Sequence, residues 1–254
     1  MIYYKKEYIK SEETIMRDVI DLHTHTIASG HAYNTINEMV QAAAERKLEI
    51  IGITEHAPRM QGSCTNMYFV NLRVMPREKQ GVTVLYGAEL NIVDYDGRVD
   101  LPEHILAQMD LNIASMHVPC LKSGTRMENT RAYLNVMKNP YVNIIGHPDD
   151  GRYPVDYKAL VEGAREHGVL LEINNSSLSP NSYRDNAGEN YRKMLEYCKE
   201  YQAPVVLGSD AHVDLDVGNH LYAMKMLQEV DFPESLVVNA NAGVLKKYVN
   251  YFKR

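Results

Sequence analysis

Cysteine is scarce in this chain. Cys64, Cys120 and Cys198 lie far apart and form no Cys-x-x-Cys pair, which argues against a disulfide framework or a thiolate zinc site. That usage fits a reducing, cytoplasmic compartment. Long apolar runs are missing too. None approaches the roughly 18 residues needed to span a bilayer, and the polar, Tyr/Lys/Glu-rich start over 1–17 does not read as a signal peptide. Positive charge is also in deficit. With 27 Lys and Arg against 33 Asp and Glu, the net charge of −6 argues against a broad electrostatic grip on nucleic acid. No internal repeat, low-complexity tract or linker divides the chain.

What is present is a regular alternation. The 254 residues, 45% of them hydrophobic, suffice for one sizeable core, and a single α/β barrel commonly runs to about 250 residues. Residues 1–16 read as an N-terminal extension, in which Tyr3, Tyr4 and Tyr8 could pack on the barrel or on a neighbouring subunit, and 17–254 read as one domain. After a first strand that opens with the apolar run Asp18-Val19-Ile20 and carries His23 and His25 toward its end, Thr35 to Glu38 open a helix with a polar cap and an acidic first turn. Met39, Val40, Ala43 and Ala44 recur along it at helical spacing. Strands follow at 49–54, 82–89, 111–116, 142–145, 169–173 and 204–208. Helices are predicted around 67–74, 129–138, 156–167, 189–201, 216–229 and 242–251. Gly168 is placed to close the helix before it, and 94–97 read as a turn. Strand and helix alternate throughout, so the sheet should be parallel. Seven strands in this length favour a closed or nearly closed barrel.

The chemistry gathers at the ends of those strands. Asp21-Leu22-His23-Thr24-His25 places two imidazoles on one strand face, roughly 7 Å apart at the backbone, and His31 returns from the following loop. His56, Glu89, His117, His147, Asp210 and His212 each stand at the C-terminal end of a later strand. Barrel active sites are built at that face by loops from several strands, so residues scattered in sequence converge in one mouth. Taken singly, each of these has an ordinary explanation: a satisfied polar histidine, a salt bridge at Glu89, a helix cap at Asp210. Together they hold seven of the ten histidines. Imidazole and carboxylate donors without thiolate suit zinc, manganese or iron, and nine donors suit two or three ions rather than one. The remaining His104, His167 and His220 read as surface residues. The thirteen methionines read as core filler.

The segments Asp21 to His25, Thr54-Glu55-His56, Gly87-Ala88-Glu89, His117, Gly146-His147-Pro148, Glu172 to Ser177 and Gly208 to His212 resemble the polymerase-and-histidinol-phosphatase (PHP) family. The likeness spans about 18–250 and is close to the single-domain phosphatase branch. It implies an α/β fold, a distorted TIM-like (β/α)7 barrel, with three divalent ions at the C-terminal mouth. Carried over, His23, His25, Glu89 and Asp210 would hold the first ion. Glu89 would bridge to a second, bound also by His117 and His147, and His31, His56 and His212 would hold the third. The departures are the longer N-terminal arm and Glu55, where many relatives carry Asp. The resemblance also makes a homotrimer an expectation.

The function expected is hydrolysis of a small phosphomonoester, such as histidinol phosphate or a sugar or nucleotide phosphate, by a hydroxide bridging two ions. Three divalent ions would add about +6 and offset the negative charge of the chain. Glu89, Asp210 and His212 are the catalytic candidates. Asn174, Asn175, Ser176 and Arg152 are the candidates for substrate contact. Arg59, Arg73, Arg98, Arg126 and Arg184 also fall near the mouth, each more simply read as a solvated surface residue. Cys120 reads as a buried neutral thiol. Phosphodiester cleavage on short nucleic acid and a non-catalytic metal-holding module are the alternatives. An amidohydrolase is disfavoured because no lysine ends a strand.

Overall fold

Short apolar runs punctuated by capped helices dictate the layout. The computed structural model describes residues 16–253. Its strands are β1 (Ile20–Thr24), β2 (Ile50–His56), β3 (Glu78–Lys79), β4 (Val82–Asn91), β5 (Leu111–Ser115), β6 (Ile144–Ile145), β7 (Leu170–Asn174) and β8 (Val205–Gly208). Its helices are α1 (Ile36–Glu45), α2 (Asn66–Asn71), α3 (Glu103–Leu106), α4 (Arg126–Val136), α5 (Tyr157–His167), α6 (Ala187–Tyr201), α7 (Leu221–Glu229) and α8 (Ala242–Leu245). The arm expected over 1–16, with its three tyrosines, lies outside the described residues except for Met16.

Seven strands pair in parallel in the order β1-β2-β4-β5-β6-β7-β8, the alternation the sequence pattern implies. The eighth, β3, pairs antiparallel with β4 and was not foreseen. It is a hairpin closed by Gln80 and Gly81, both at positive φ, the backbone that a two-residue turn demands. Thr35 caps α1 through a reciprocal box with Glu38. A second box, Thr125 with Glu128, starts α4 three residues earlier than periodicity suggested. Gly168 closes α5 in the left-handed conformation. The predicted helix at 216–229 begins only at Leu221, after a 3-10 turn at Asp214–Asp216 and a left-handed Gly218. The one at 242–251 shrinks to α8 and a 3-10 turn at Asn250–Phe252.

The barrel interior changes character along its axis. Ile20, Leu22, Ile50, Leu85, Leu111, Ile113, Leu170 and Val206 form an apolar floor, plugged from below by Val238, Leu245 and Val249 of the C-terminal segment. Because side chains alternate along a strand, later positions on the same face toward the C-terminal ends include His56 beyond Ile50, Glu89 beyond Leu85, and Glu172 beyond Leu170. All three are buried and polar. The floor therefore presses a polar layer up into the mouth.

Side chains, rather than a ladder, join β1 to β8. The backbone contributes a bridge between Thr24 and Ala211, with His25 N–H donating to the Ala211 carbonyl at 2.9 Å. Asn239 donates to the carbonyls of Ile20 and Leu207 at 2.8 and 3.0 Å and accepts from Leu207 N–H at 2.7 Å. Beside it, His220 departs from its expected place on the surface. Its ring is buried, with Nδ1 2.7 Å from Asp18 and Nε2 3.6 Å from Asp21. Burial opposes its charge, but those two carboxylates raise its pKa to about 10. His104 and His167 are exposed, as expected.

Candidate metal centre

His23 and His25 do share a site: their ring centroids lie 5.1 Å apart. The other rings continue the cluster, with His25 to His56 at 4.2 Å, His25 to His212 at 4.5 Å and His56 to His117 at 5.2 Å. His117 lies 5.2 Å from His147, and His31 lies at the rim, 4.8 Å from His56 and 4.9 Å from His212. Glu89 is the hub. His147 Nε2 and His117 Nε2 lie 2.8 and 3.1 Å from its Oε1, and His56 Nδ1 lies 2.7 Å from its Oε2. Asp210 Oδ1 stands 3.3 Å from His25 Nε2 and 3.7 Å from His23 Nε2. All nine expected donors are thus brought together. His147 and Asp210 reach the cluster from left-handed backbone, φ 30° and 56°, a conformation that costs a non-glycine residue about 1–3 kcal/mol and is concentrated at functional sites.

Outer partners decide which nitrogen faces inward. His23 Nδ1 pairs with Glu172 Oε1 at 2.7 Å, while the other oxygen of Glu172 accepts from His147 N–H at 2.8 Å. Gly208 makes this possible, since a Cβ there would stand 2.0 Å from Glu172 Oε1. The Asn91 amide nitrogen is committed to Ala57 and Asp100, so its oxygen meets His117 Nδ1 at 2.7 Å. His212 Nδ1 meets the Asp210 carbonyl at 2.9 Å. Each of these leaves an Nε2 aimed at the interior, the arrangement typical of metal-binding histidines.

The electrostatics are those of a site built for cations. Burial opposes charge on Glu89, yet His117, His56 and His23 hold it well below the usual carboxylate range. Burial likewise opposes Asp210, which His23, His25, His212 and Arg184 hold well below its ordinary value. Burial, reinforced by His56 and His212, pushes His25 well below the ordinary imidazole value. His23 goes the other way: burial is outweighed by Glu172, Glu89 and Asp210. Four buried atoms here, His23 Nε2, His25 Nε2, His56 Nδ1 and Glu89 Oε2, lack a hydrogen bond among the described residues. An unsatisfied buried polar atom costs about 1–3 kcal/mol, and a divalent cation satisfies such a set directly. The donors fall into three overlapping triads, His23/His25/Asp210, His25/His56/His212 and His56/Glu89/His117, with donor atoms within 4.8 Å of one another in each.

Residues 21–176 match the PHP domain family. The chain is also 44% identical over 238 residues to a protein of Clostridium novyi named as a probable phosphatase, covering 94% of this chain and 96% of that one. The chain belongs to the PHP family. A second relative so named, from Caldicellulosiruptor bescii, is 43% identical over 234 residues, 92% of this chain and 95% of that protein. The histidinol phosphate phosphatase of Lactococcus lactis, solved with zinc, L-histidinol and phosphate, superposes with a TM-score of 0.58 at 19% identity. It covers 85% of this chain and 95% of that one. This PHP protein is accordingly a metal-dependent phosphoesterase on a TIM-like α/β barrel. No helix of the described residues is long and apolar enough to cross a membrane.

Around the PHP centre a cleft of about 250 Å³ opens, lined by donor residues together with Met60, Met116, Asp150, Arg152, Tyr183 and Arg184. Arg184 overturns the reading of it as a solvated surface residue. Its side chain is 6% exposed, lies 3.4 Å from Asp210 Oδ2, and donates to Asn174 Oδ1 at 3.2 Å and Ser177 Oγ at 2.6 Å. Arg152 is at the rim, bonded to Asp150 at 2.9 Å and 5.1 Å from the exposed Tyr183 ring. Of the expected substrate contacts, Asn174 faces the site, donating to Glu172 and Asp210 at 3.2 Å each. Asn175 does not: its oxygen accepts from the backbone of Tyr222 and Ala223 and so caps α7. Ser176 is exposed, and its neighbour Ser177 meets Arg184 instead. Cys120 is buried 8% exposed, and burial pushes its thiol up to about 11. Arg184 and Asp150 sit in loops away from strand ends, so no strand-end pattern could have found them.

Proposed function

We propose that this chain hydrolyses a small phosphomonoester, of the size of histidinol phosphate or a sugar or nucleotide phosphate. Three divalent ions are assigned to His23, His25, His31, His56, Glu89, His117, His147, Asp210 and His212, with zinc the best match to the donor set and manganese or iron the alternatives. The observation that carries the reading is the convergence of unpartnered buried nitrogens and a carboxylate oxygen beneath a cleft of about 250 Å³. A space of that size suits one small phosphate ester, and the phosphatase of Lactococcus lactis, with its L-histidinol and phosphate, supports a substrate of this class.

When bound, divalent ions supply Lewis-acid charge and water activation at neutral pH. The chain's own residues do the rest. Glu89, with both oxygens facing imidazoles, would help hold metal together with those rings. Arg184 offers a guanidinium from the cleft wall, fixed by Asn174 and Ser177, to receive a phosphoryl oxygen. The leaving alkoxide takes its proton from water beside Asp210 and His212, because as metal ligands, with Asp210 held well below its ordinary value, these two have no proton of their own to give. His212, with 28% of its side chain exposed, is the member a leaving group can reach. Arg152, at the rim, contacts the part of the substrate beyond the phosphate.

The test compares nitrophenyl phosphate with bis-nitrophenyl phosphate, each with and without chelator. Chelator-sensitive turnover of the monoester is expected. Turnover of the diester alone would move the assignment to phosphodiester cleavage. Failure with both esters, on protein carrying its full metal, would leave a metal-holding module.

A further inference from the structure

Glu55 and His56 are adjacent on β2 and so face opposite ways: His56 enters the mouth, and Glu55 lies behind it, fully buried. Every partner of the Glu55 carboxyl group is a neutral donor. Oε2 accepts from Ser29 Oγ–H at 2.5 Å and Thr26 N–H at 3.1 Å. Oε1 accepts from the hydroxyls of Thr26 at 2.5 Å and Tyr68 at 3.2 Å. With its single hydrogen given to Glu55, Ser29 can only accept elsewhere. It does so twice, from His56 backbone N–H at 3.0 Å and at His25 Nδ1, 3.2 Å away. Proton counting then fixes the ring of His25. Its Nδ1 must carry the hydrogen, leaving the lone pair on Nε2, the atom that stands 3.3 Å from Asp210 and 3.5 Å from Glu89.

We propose that Glu55, acting through Ser29, is a positioning residue of the metal centre that locks His25 in its Nδ1–H tautomer and pins the backbone of His56. The assignment rests on the reading of this cluster as a metal site. Glu55 touches no donor atom of the cluster directly. It orients two of the imidazoles from behind, as Glu172 orients His23 and Asn91 orients His117 on other walls of the mouth.

The test uses the full chain and two readouts. Long-range proton–nitrogen spectra of histidine-labelled, metal-stripped protein report the tautomer of His25, and competition with a chelator reports affinity for zinc alone. Ser29→Ala is expected to release His25 from the Nδ1–H form and to weaken zinc binding about 10–100-fold. Glu55→Gln, which leaves four donors facing one oxygen and an amide, should shift both readouts in the same direction. Tyr68→Phe removes only the outermost donor to Glu55 and should leave both readouts unchanged. Retention of the Nδ1–H tautomer and full zinc affinity in Ser29→Ala overturns the proposal. Equal loss of zinc affinity in Tyr68→Phe overturns it too, because the effect would then be one of general packing. Absence of zinc binding in the unsubstituted chain would instead defeat the metal reading, and the spectra would still decide whether Ser29 and Glu55 set His25.

Discussion

Two buried clusters of histidine and carboxylate stand close together on this barrel, and they solve opposite problems. At the β1–β8 seam a single imidazole, His220, lies between Asp18 and Asp21. Asp21 also accepts from Ser209 Oγ–H at 2.5 Å and Gly218 N–H at 2.7 Å. One protonated ring faces both carboxylates, and neutral donors from Ser209, Gly218 and Asn239 satisfy most of what remains, while His220 Nε2, 3.6 Å from Asp21, makes no hydrogen bond among the described residues. In the mouth, seven imidazoles surround Glu89 and Asp210, with Nε2 of His23 and His25 left without hydrogen bonds. Donors there exceed what protons and side chains can satisfy. The same residue types thus make a structural clamp at one stoichiometry and a cation-binding centre at the other.

Substitutions should separate the two. The largest effect is expected in the mouth: His23→Ala or Asp210→Ala should remove essentially all phosphatase turnover together with bound metal. Turnover retained at lowered metal content would contradict the assignment of those residues. Arg184→Ala comes next, with a loss of about 10²–10³-fold in kcat/KM. Lysine should recover little of it, since the guanidinium contacts Asn174, Ser177 and Asp210 at once. At the seam, His220→Gln leaves two carboxylates without their cation. It should cost about 3 kcal/mol of stability in urea unfolding while folded protein keeps its metal. The pH dependence has a definite sign. The folded pKa of His220, about 10, lies above its ordinary value of 6.5. Its contribution is therefore complete below pH 6.5 and is lost as pH rises through about 10. The gap between the unsubstituted chain and His220→Gln should narrow over that range. The smallest effect belongs to Asn175→Ala, which removes the cap of α7 for about 1 kcal/mol and should leave KM unchanged. A raised KM would return Asn175 to the substrate site.

The mouth was legible because its donors, His31 apart, obey one rule: they stand at the C-terminal end of an apolar strand, and parallel strands in a barrel deliver such positions to one place. His23, His25, His56, Glu89, His117, His147, Asp210 and His212 could be found that way. What escaped does not follow strand periodicity. Arg184 and Asp150 come from loops, and only the packed structure shows that Arg184 is buried against Asp210. His220 sits just before a helix, where nothing in the local sequence reveals Asp18 and Asp21 approaching from about 200 residues away. Asn175 and Ser176 were misread because their strand end promised a mouth position, whereas the chain turns there into a 3-10 segment that sends Ser177 inward and Asn175 toward α7. Strand β3 was missed because Glu78 and Lys79 carry no apolar signal. Their pairing comes from the turn at Gln80 and Gly81.

The central claim is that the mouth is an excess-donor site completed by cations, and metal counting addresses it most directly. Elemental analysis of the purified chain should find about three zinc, iron or manganese ions per chain, the number proposed for its nine imidazole and carboxylate donors. Nitrophenyl phosphate turnover measured on the same sample should vanish with chelator and return with metal. One ion or none, with no recovery of turnover when metal is added back, would contradict it and leave a histidine-lined pocket without a catalytic centre.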